Sequence, residues 1–226
     1  MFVTFEGGEG SGKSTQVALL KQRLEAEGRR VIQLREPGGT TLGEDLRQLL
    51  LSSTSMAPKA ELMLFLAARA ELVNKVIKPA LEAGIDVVCD RFIDSTAVYQ
   101  GYGRGLDLEL IATLNDAAID GCRPDLTVLL DIDPEMGLAR TSDRSGGDAI
   151  EGHWQKGLDF QQAEPKTARR VGGRDMTFHR KVRRGYQALV KQEPERWLVL
   201  DATQPPDPLA DQVWQEVAAR LGPTQT

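Results

Sequence analysis

The chain has 226 residues, of which 41% are hydrophobic and 27% charged, and its formal net charge is −5 at pH 7. This composition is typical of an ordinary globular protein and excludes a fibrous or disordered chain, while the acidic balance argues against a general nucleic-acid coat. Cys89 and Cys122 form no CxxC pair, so neither a disulfide framework nor a zinc site is expected. No apolar run is long enough to span a bilayer and the N-terminus leads straight into a predicted strand, so we expect a cytoplasmic protein without a signal peptide or membrane anchor.

Short apolar strands alternate with helical patterns along the chain. Strands are predicted at residues 2–5, 31–34, 85–89, 126–132 and 197–200, and helices after the first strand up to Gly28, at 60–81 and at 108–119. This alternation predicts an α/β fold with a five-stranded parallel sheet and helices on both faces. In such sheets ligands bind beyond the carboxyl ends of the strands, so the chemistry is expected after Phe5, Leu34, Cys89, Ile132 and Leu200.

A glycine-rich loop follows the first predicted strand. It reads Gly7-Gly8-Glu9-Gly10-Ser11-Gly12-Lys13-Ser14, with Thr15 next, and matches the GxxxxGKS pattern between a strand and a helix. The backbone N–H groups can hold phosphates, Lys13 can reach the β- and γ-phosphates, and the Ser14 hydroxyl can ligate Mg²⁺. The loop therefore predicts a nucleoside triphosphate site, the alternative being a glycine-rich turn that matches by chance. By itself it does not separate a small-molecule kinase from a GTPase, a motor or a regulatory ATPase.

Two charged residues stand at the end of the third predicted strand. Asp90 leaves the sheet next to the phosphate loop, where a carboxylate can hold Mg²⁺ through water. Arg91 follows it, and its guanidinium can bind a phosphate through two N–H groups. An ordinary surface salt bridge is the alternative, but the position at the carboxyl end of a strand favours a functional role.

Several further motifs occur in a fixed order. Together with FEGGEGSGKST they are REPGGT from Arg35, the turn from Phe65 to Arg69, DRFIDSTAVYQGYGRG from Asp90, RPDLTVLLDIDPEMGLAR from Arg123 and DATQP from Asp201. In this order they resemble the bacterial thymidylate kinase family over most of residues 1–150, and the match resumes near Phe178. The resemblance implies a single P-loop NTPase domain over residues 1–226, with a lid or insertion at about 140–178. It also implies transfer of the γ-phosphate of Mg·ATP to dTMP, giving dTDP, and a homodimer formed through helices that include residues 60–81.

The resemblance assigns roles to individual residues. Phe65 would stack on thymine and Arg69, one helical turn later, would hydrogen-bond its O4; residues four apart share a helix face. Without the arginine, Phe65 would be taken as simple core. The other implied roles are Thr96 and Gln100 at the base edge, Tyr99 against the sugar, Arg91 on the 5′-phosphate, Arg35 orienting that side, Glu9 on the 3′-hydroxyl and Thr203 beside the adenine of ATP.

The source of one further catalytic cation is inferred from Gly10. One branch of the family supplies an arginine from that loop position, so here the resemblance assigns the role to the lid, with Arg144 as the candidate and Arg140 as the alternative. The family pattern Asp-Arg-x-Glu appears as Asp148-Ala-Ile-Glu151, without its arginine, and residues 152–175 have no counterpart in it. Residues 166–184 hold eight basic residues and one acid, consistent with a lid, an added binding patch or a solvated loop.

Two other functions remain open from the sequence. The first is another nucleotide or nucleoside kinase of the same fold. The second is a nucleotide-binding regulatory or nucleic-acid-associated protein, in which the basic segment 166–184 would be the working surface.

Overall fold

The structure, a computed structural model, describes residues 1–53, 55–142, 170–171 and 174–221. Within these ranges the strands are β1 Phe2–Glu6, β2 Val31–Arg35, β3 Asp86–Asp90, β4 Leu126–Asp131, β5 Arg170–Val171, β6 Arg174–Asp175 and β7 Trp197–Asp201. Five of them form one parallel sheet in the spatial order β2-β3-β1-β4-β7, while β5 and β6 pair antiparallel with each other. The predicted five-stranded parallel sheet is confirmed.

Helices connect the strands. Among the described residues the α-helices are α1 Lys13–Ala26, α2 Thr41–Ser52, α3 Pro58–Leu72, α4 Lys78–Glu82, α5 Ile93–Thr96, α6 Leu108–Ile119, α7 Pro134–Ser142, α8 Met176–Gln192 and α9 Pro206–Leu221. A π-helical turn at Val73–Ile77 joins α3 to α4, so the helix predicted at 60–81 is present but not α-helical throughout. A second π-helical segment, Ala97–Gly103, continues α5. In the described part of the chain, no helix has the length and apolar character needed to cross a membrane.

Local sequence signals account for several helix starts. The Thr40 hydroxyl accepts a hydrogen bond from the Gly43 N–H at 2.9 Å and caps α2. Asp107 caps α6 in the same way, by accepting from the Glu109 N–H at 3.0 Å. Pro58 opens α3, where its missing N–H carries no cost.

The core lies on both faces of the sheet. Val3 and Phe5 of β1 point to one face and pack with α1 and α9, through residues such as Val17 and Val213. Phe2 points to the other face and packs with the segment around Ile77. This alternation follows from the period of two in a strand. Because β1 is central, both of its faces are covered and all of its side chains are buried.

Helix α8 contacts the segment that follows β3. Helix α8 packs closely against the π-helical segment Ala97–Gly103. Two glycines permit this contact: a Cβ on Gly185 would lie 2.9 Å from the Tyr102 ring, and one on Gly103 would lie 2.6 Å from the Phe178 ring. The chain on the C-terminal side of the predicted lid is therefore in contact with the segment that carries Tyr99 and Gln100.

Candidate active site

The loop between β1 and α1 has the backbone geometry of a phosphate cradle. Gly7, Gly10 and Gly12 all have positive φ, at 144°, 66° and 91°, which glycine adopts at little cost. Gly12 stands immediately before α1, so the loop runs directly into the positive end of that helix. The Lys13 ammonium donates to the carbonyls of Gly7 at 3.1 Å and Gly8 at 2.9 Å and thus lies across the loop. Ser14 and Thr15 follow in the first turn of the helix and are exposed.

The loop also contacts helix α7 through two glycines. A Cβ on Gly10 would lie 2.0 Å from the carbonyl oxygen of Gly137, and a Cβ on Gly137 would lie 2.2 Å from that of Glu9. Both separations are far below a normal contact, so neither position has room for a side chain. An arginine at position 10 is therefore incompatible with this packing. Arg144 lies outside the described residues, and Arg140 donates from Nη1 to the Ala202 carbonyl at 2.8 Å.

Glu9 is a buried residue of the loop between β1 and α1. Glu9 and Gly8 line a cavity bounded by the end of β4, by α7 and by α8. Other residues of this cavity include Asp131, His179 and Tyr186. The acid that the sequence places in the loop therefore lies against protein elements rather than in bulk solvent.

Arg91 lies between the loop and the rest of the site. It follows β3 with φ at 69°, a left-handed conformation that is uncommon for a residue other than glycine and clusters at functional sites. Its Nη1 donates to the Gly7 carbonyl at 3.4 Å and to Ser95 Oγ at 3.1 Å. The guanidinium carbon lies 5.1 Å from the centre of the Tyr99 ring. Asp90 precedes it and is in register with Phe5 on β1.

A buried carboxylate that the sequence did not single out lies behind Arg91. Glu6, the last residue of β1, accepts from the N–H groups of Phe92 at 2.8 Å and Ser95 at 3.2 Å. It also accepts from the hydroxyls of Ser95 at 2.6 Å and Tyr186 at 2.8 Å. Burial, and secondarily the charge of Asp94, raises the pKa of Glu6 to about 7. A glutamate at the end of a mostly apolar central strand was the signal available in the sequence.

Helix α3 brings Phe65 and Arg69 onto one buried face, as their spacing predicts. The Nε and Nη2 groups of Arg69 donate to Glu36 Oε2 at 2.8 and 2.6 Å, and its Nη1 donates to Thr96 Oγ1 at 2.9 Å and Asn115 Oδ1 at 2.6 Å. Nη2 also donates to the Phe92 carbonyl at 3.0 Å. A guanidinium has five N–H groups, so these contacts engage all of them. Contact with a base oxygen would require Arg69 to share or release one of these hydrogen bonds.

The π-helical segment contributes Tyr99 and Gln100 to the same cluster of buried side chains. Tyr99 is buried between Arg91 and Phe178, whose ring centre lies 6.0 Å away. Burial raises the pKa of the Tyr99 hydroxyl well above its usual range, so the phenol is neutral. Gln100 donates from Nε2 to Glu61 Oε1 at 2.8 Å and is also fully buried.

Two predicted site residues lie at opposite edges of the sheet. Arg35 ends β2, is exposed and pairs with Glu44 of α2 at 3.0 Å. Thr203 follows β7, and its N–H and hydroxyl donate to Asp201 Oδ1 at 2.9 and 2.7 Å. Because β1 is the middle strand, the phosphate loop lies between these two sides.

Three buried residues of this cluster were not found from the sequence. Glu36 and Asn115 bind Arg69, and Glu61 binds Gln100. Glu36 lies inside the REPGGT motif, but no rule of spacing connects it to Arg69. Glu61 and Asn115 are polar residues on the buried faces of α3 and α6, and a polar residue on an apolar face was the only available signal.

The fold and the site together define the P-loop nucleotide kinase class: a phosphate loop leads into a helix and borders a cluster of buried aromatic, amide and guanidinium groups. Comparisons with known proteins agree. The family model described as thymidylate kinase matches residues 5–213. The chain therefore belongs to the thymidylate kinase family.

Individual relatives support this assignment. The chain is 50% identical to a thymidylate kinase of Synechococcus sp. (strain JA-3-3Ab) over 221 residues, covering 98% of this chain and 97% of that protein. It is 49% identical to one of Solidesulfovibrio magneticus over 223 residues, covering 98% of this chain and 100% of the relative. The crystal structure of thymidylate kinase from Ehrlichia chaffeensis matches with a TM-score of 0.72 and 34% identity, covering 96% of this chain and 98% of that one.

Proposed function

We propose that this kinase transfers the γ-phosphoryl group of ATP to dTMP, giving dTDP and ADP. The observation that carries the proposal is the position of Arg91. It is buried, has a left-handed backbone and contacts both the phosphate loop and the Tyr99 ring. A phosphate bound there would lie next to the phosphates held by the loop. Membership of the thymidylate kinase family supports dTMP as the acceptor.

On the donor side, the loop backbone from Gly7 to Gly12 would hold the phosphates of ATP, with Lys13 on the β- and γ-groups and Thr203 beside the adenine. Ser14 is exposed at the first turn of α1 and Asp90 ends the strand next to β1, so a hydroxyl and a carboxylate oxygen fit the oxygen ligation that Mg²⁺ prefers. When bound, Mg²⁺ neutralises charge on the β- and γ-phosphates. Ser14 would bind it directly and Asp90 through water.

On the acceptor side, we propose that Phe65 stacks on the thymine ring and that Arg91 binds the 5′-phosphate. The other proposed contacts are Arg69, Thr96 and Gln100 at the base edge, Tyr99 at the sugar, Glu9 at the 3′-hydroxyl and Arg35 at the outer rim. The buried aromatic and amide groups of this pocket are suited to a flat base with a polar edge.

The chemistry requires alignment more than proton transfer. The attacking phosphate oxygen of dTMP is anionic at neutral pH, so no general base is needed. Lys13 and Arg91 would stabilise charge on the migrating phosphoryl group, and a lid arginine would complete the set. We keep Arg144 as the candidate, with Arg140 as the alternative. The proposed domain is the single chain 1–226, with the lid at about 140–178, mostly outside the described residues.

The test is a coupled kinase assay with ATP against dTMP, dCMP and AMP. We expect a strong preference for dTMP, and a loss of turnover of at least about 10²-fold in Lys13→Ala and in Arg91→Ala, since each removes a cation from the reacting phosphates. Lys191→Ala, which removes an exposed lysine at the end of α8, is the matched control and should retain activity. Equal rates with the three acceptors would refute the proposal.

We also propose a cytoplasmic homodimer. Both cysteines are free thiols, which is usual in a reducing compartment. Seven large hydrophobic side chains are exposed among the described residues, and five of them lie on α2, α3 and α6: Leu42, Leu49, Met63, Leu108 and Leu110. Helix α3 contacts both α2 and α6, so these side chains belong to neighbouring helices. Apolar side chains concentrated on adjacent helices are typical of a subunit interface.

A further inference from the structure

A carboxylate is aligned with the proposed base-binding residues of α3. Glu61 precedes Phe65 by four residues and Arg69 by eight, so the three share one face of the helix. All three are buried, and Glu61 has no exposed surface. Buried glutamates are rare unless they are paired, so this position calls for an explanation.

Glu61 binds the amide of Gln100. Gln100 Nε2 lies 2.8 Å from Glu61 Oε1, and Arg104 Nη2 lies 2.8 Å from Glu61 Oε2. A carboxylate can only accept hydrogen bonds, so the NH₂ side of the amide must face it. The amide oxygen, Gln100 Oε1, then points the other way; it is buried and has no hydrogen-bond partner within the described part of the chain.

A second hydrogen bond joins α3 to the segment that carries Gln100. Arg69 of α3 donates to Thr96 Oγ1, and Thr96 lies four residues before Gln100 in the helical segment that follows β3. The pairs Arg69–Thr96 and Glu61–Gln100 therefore flank Phe65 on α3. Thr96 accepts from Arg69 and keeps its hydroxyl hydrogen to donate, whereas Gln100 keeps an oxygen to accept. The segment that follows β3 thus offers a donor at Thr96 and, four residues later, an acceptor at Gln100.

Pyrimidines differ in the hydrogen-bonding groups of the base edge that Thr96 and Gln100 would contact. Thymine and uracil present an acceptor, O4, beside a donor, N3–H. Cytosine reverses both, with a donating amino group beside an accepting N3. A carbonyl oxygen fixed at position 100 would accept from N3–H but would meet the lone pair of a cytosine N3, leaving a buried polar group unpaired.

We infer that Glu61, backed by Arg104, is a positioning residue that fixes the Gln100 amide with its oxygen toward the base and thereby selects pyrimidines with an N3–H group. This inference rests on the proposed function. It assigns base selection to a carboxylate that does not itself touch the base.

The main test is Glu61→Gln in the full chain, assayed with dTMP, dUMP and dCMP. A glutamine at position 61 can either accept or donate, so the Gln100 amide is free to turn. We expect the KM for dTMP and dUMP to rise together by about tenfold, the usual value of one hydrogen bond, with kcat for dTMP and the KM for ATP unchanged. The preference for dTMP over dCMP should fall by at least the same factor.

Two further variants separate positioning from simple stabilisation. Glu61→Gln combined with Arg104→Gln removes both buried charges, so no unpaired guanidinium remains, and should show the same loss of preference. In a Gln100→Leu background, Glu61→Gln should change the preference no further, because the group it orients is absent. Glu71→Gln makes the same chemical change on α3 outside this network and serves as the control.

The results that would overturn the role of Glu61 differ from the result that would refute the proposed function. An unchanged ratio of dTMP to dCMP in the folded variants, or an additive loss in the Gln100→Leu background, would overturn the role of Glu61 while leaving the proposed function intact. Loss of the folded state in both the single and the double variant would assign Glu61 a structural role and also overturn it. A wild-type protein without preference for dTMP would instead refute the proposed function.

Discussion

At the scale of single residues, the phosphate loop depends on a close contact between its own backbone and that of α7. Gly10 cannot carry a Cβ, because that atom would lie 2.0 Å from the Gly137 carbonyl, and its φ of 66° disfavours any side chain. The absence of a side chain at position 10 is therefore a packing requirement. It also removes the loop as a source of a catalytic arginine.

Gly10→Ala should consequently displace α7 from the loop. We expect the free energy of unfolding to fall by about 1–3 kcal/mol, the usual cost of overpacking, together with weaker ATP binding. Thermal unfolding and ATP titration measure the two effects. Gly8→Ala is the matched control for stability only, since its added Cβ meets nothing within 4 Å. A melting temperature for Gly10→Ala equal to that of the wild type would contradict this account.

The residues that the sequence predicted are those with local signals. Lys13 and Ser14 belong to a contiguous motif, and Phe65 and Arg69 are one helical turn apart. The buried acids were missed because their partners are distant in sequence: Glu6 meets Ser95, 89 positions away, and Tyr186, 180 positions away. Only the tertiary fold brings such groups together, so the spacing of residues along the sequence does not reveal these contacts.

At the scale of elements, Glu6 joins three parts of the fold. It ends β1, binds the backbone at the start of α5 and accepts from Tyr186 of α8. Apolar periodicity located the long helix of residues 60–81, but it gave no sign that Val73–Ile77 and Ala97–Gly103 are π-helical, because such turns are set by tertiary packing and not by local preference.

The raised pKa of Glu6 predicts that the stability of the protein depends on pH. The pKa of its carboxyl is raised from an ordinary 4.5 to about 7, chiefly by burial. Between these values the folded protein holds a proton that the unfolded chain releases, so stability is highest below the unfolded pKa and falls as pH rises through the folded one. We expect a loss of about 2–3 kcal/mol from this group between pH 5 and pH 8.

Urea unfolding at several pH values between 5 and 8 measures this loss. Glu6→Gln should flatten the profile relative to the wild type, since a glutamine does not titrate in this range. Glu109→Gln, an exposed change on α6, is the control and should leave the slope unchanged. If the free energy of unfolding changes with pH equally in the wild type and in Glu6→Gln, another group is responsible for the loss.

At the scale of the whole molecule, the sheet order arranges the substrates. The phosphate loop follows the central strand, the proposed acceptor residues lie on the side of β3 and β2, and Thr203 follows β7 on the other side. The parallel sheet was predicted from the alternation of elements. Its strand order was not, because the order depends on which strands pair across long stretches of chain.

The exposed apolar side chains of α2, α3 and α6 predict the oligomeric state. In the proposed homodimer, Met63 of α3 lies at the interface, and Met63→Glu would bury a charge there. Light scattering with size-exclusion chromatography should give a mass of two chains for the wild type and of one chain for Met63→Glu. Val199→Glu, exposed on β7 away from these helices, is the control and should remain dimeric. A dimeric Met63→Glu would place the interface elsewhere.

The contact between Gly10 and Gly137 finally bears on how sequences of this family can diverge. A chain that gained an arginine at position 10 would have to reposition α7, the helix that leads from β4 toward the predicted lid. The two positions are therefore expected to covary: glycines at both accompany a cation supplied by the lid, and a side chain at position 10 requires a different course for α7. The identity of one loop residue thus reports on the architecture of a segment that is distant in sequence.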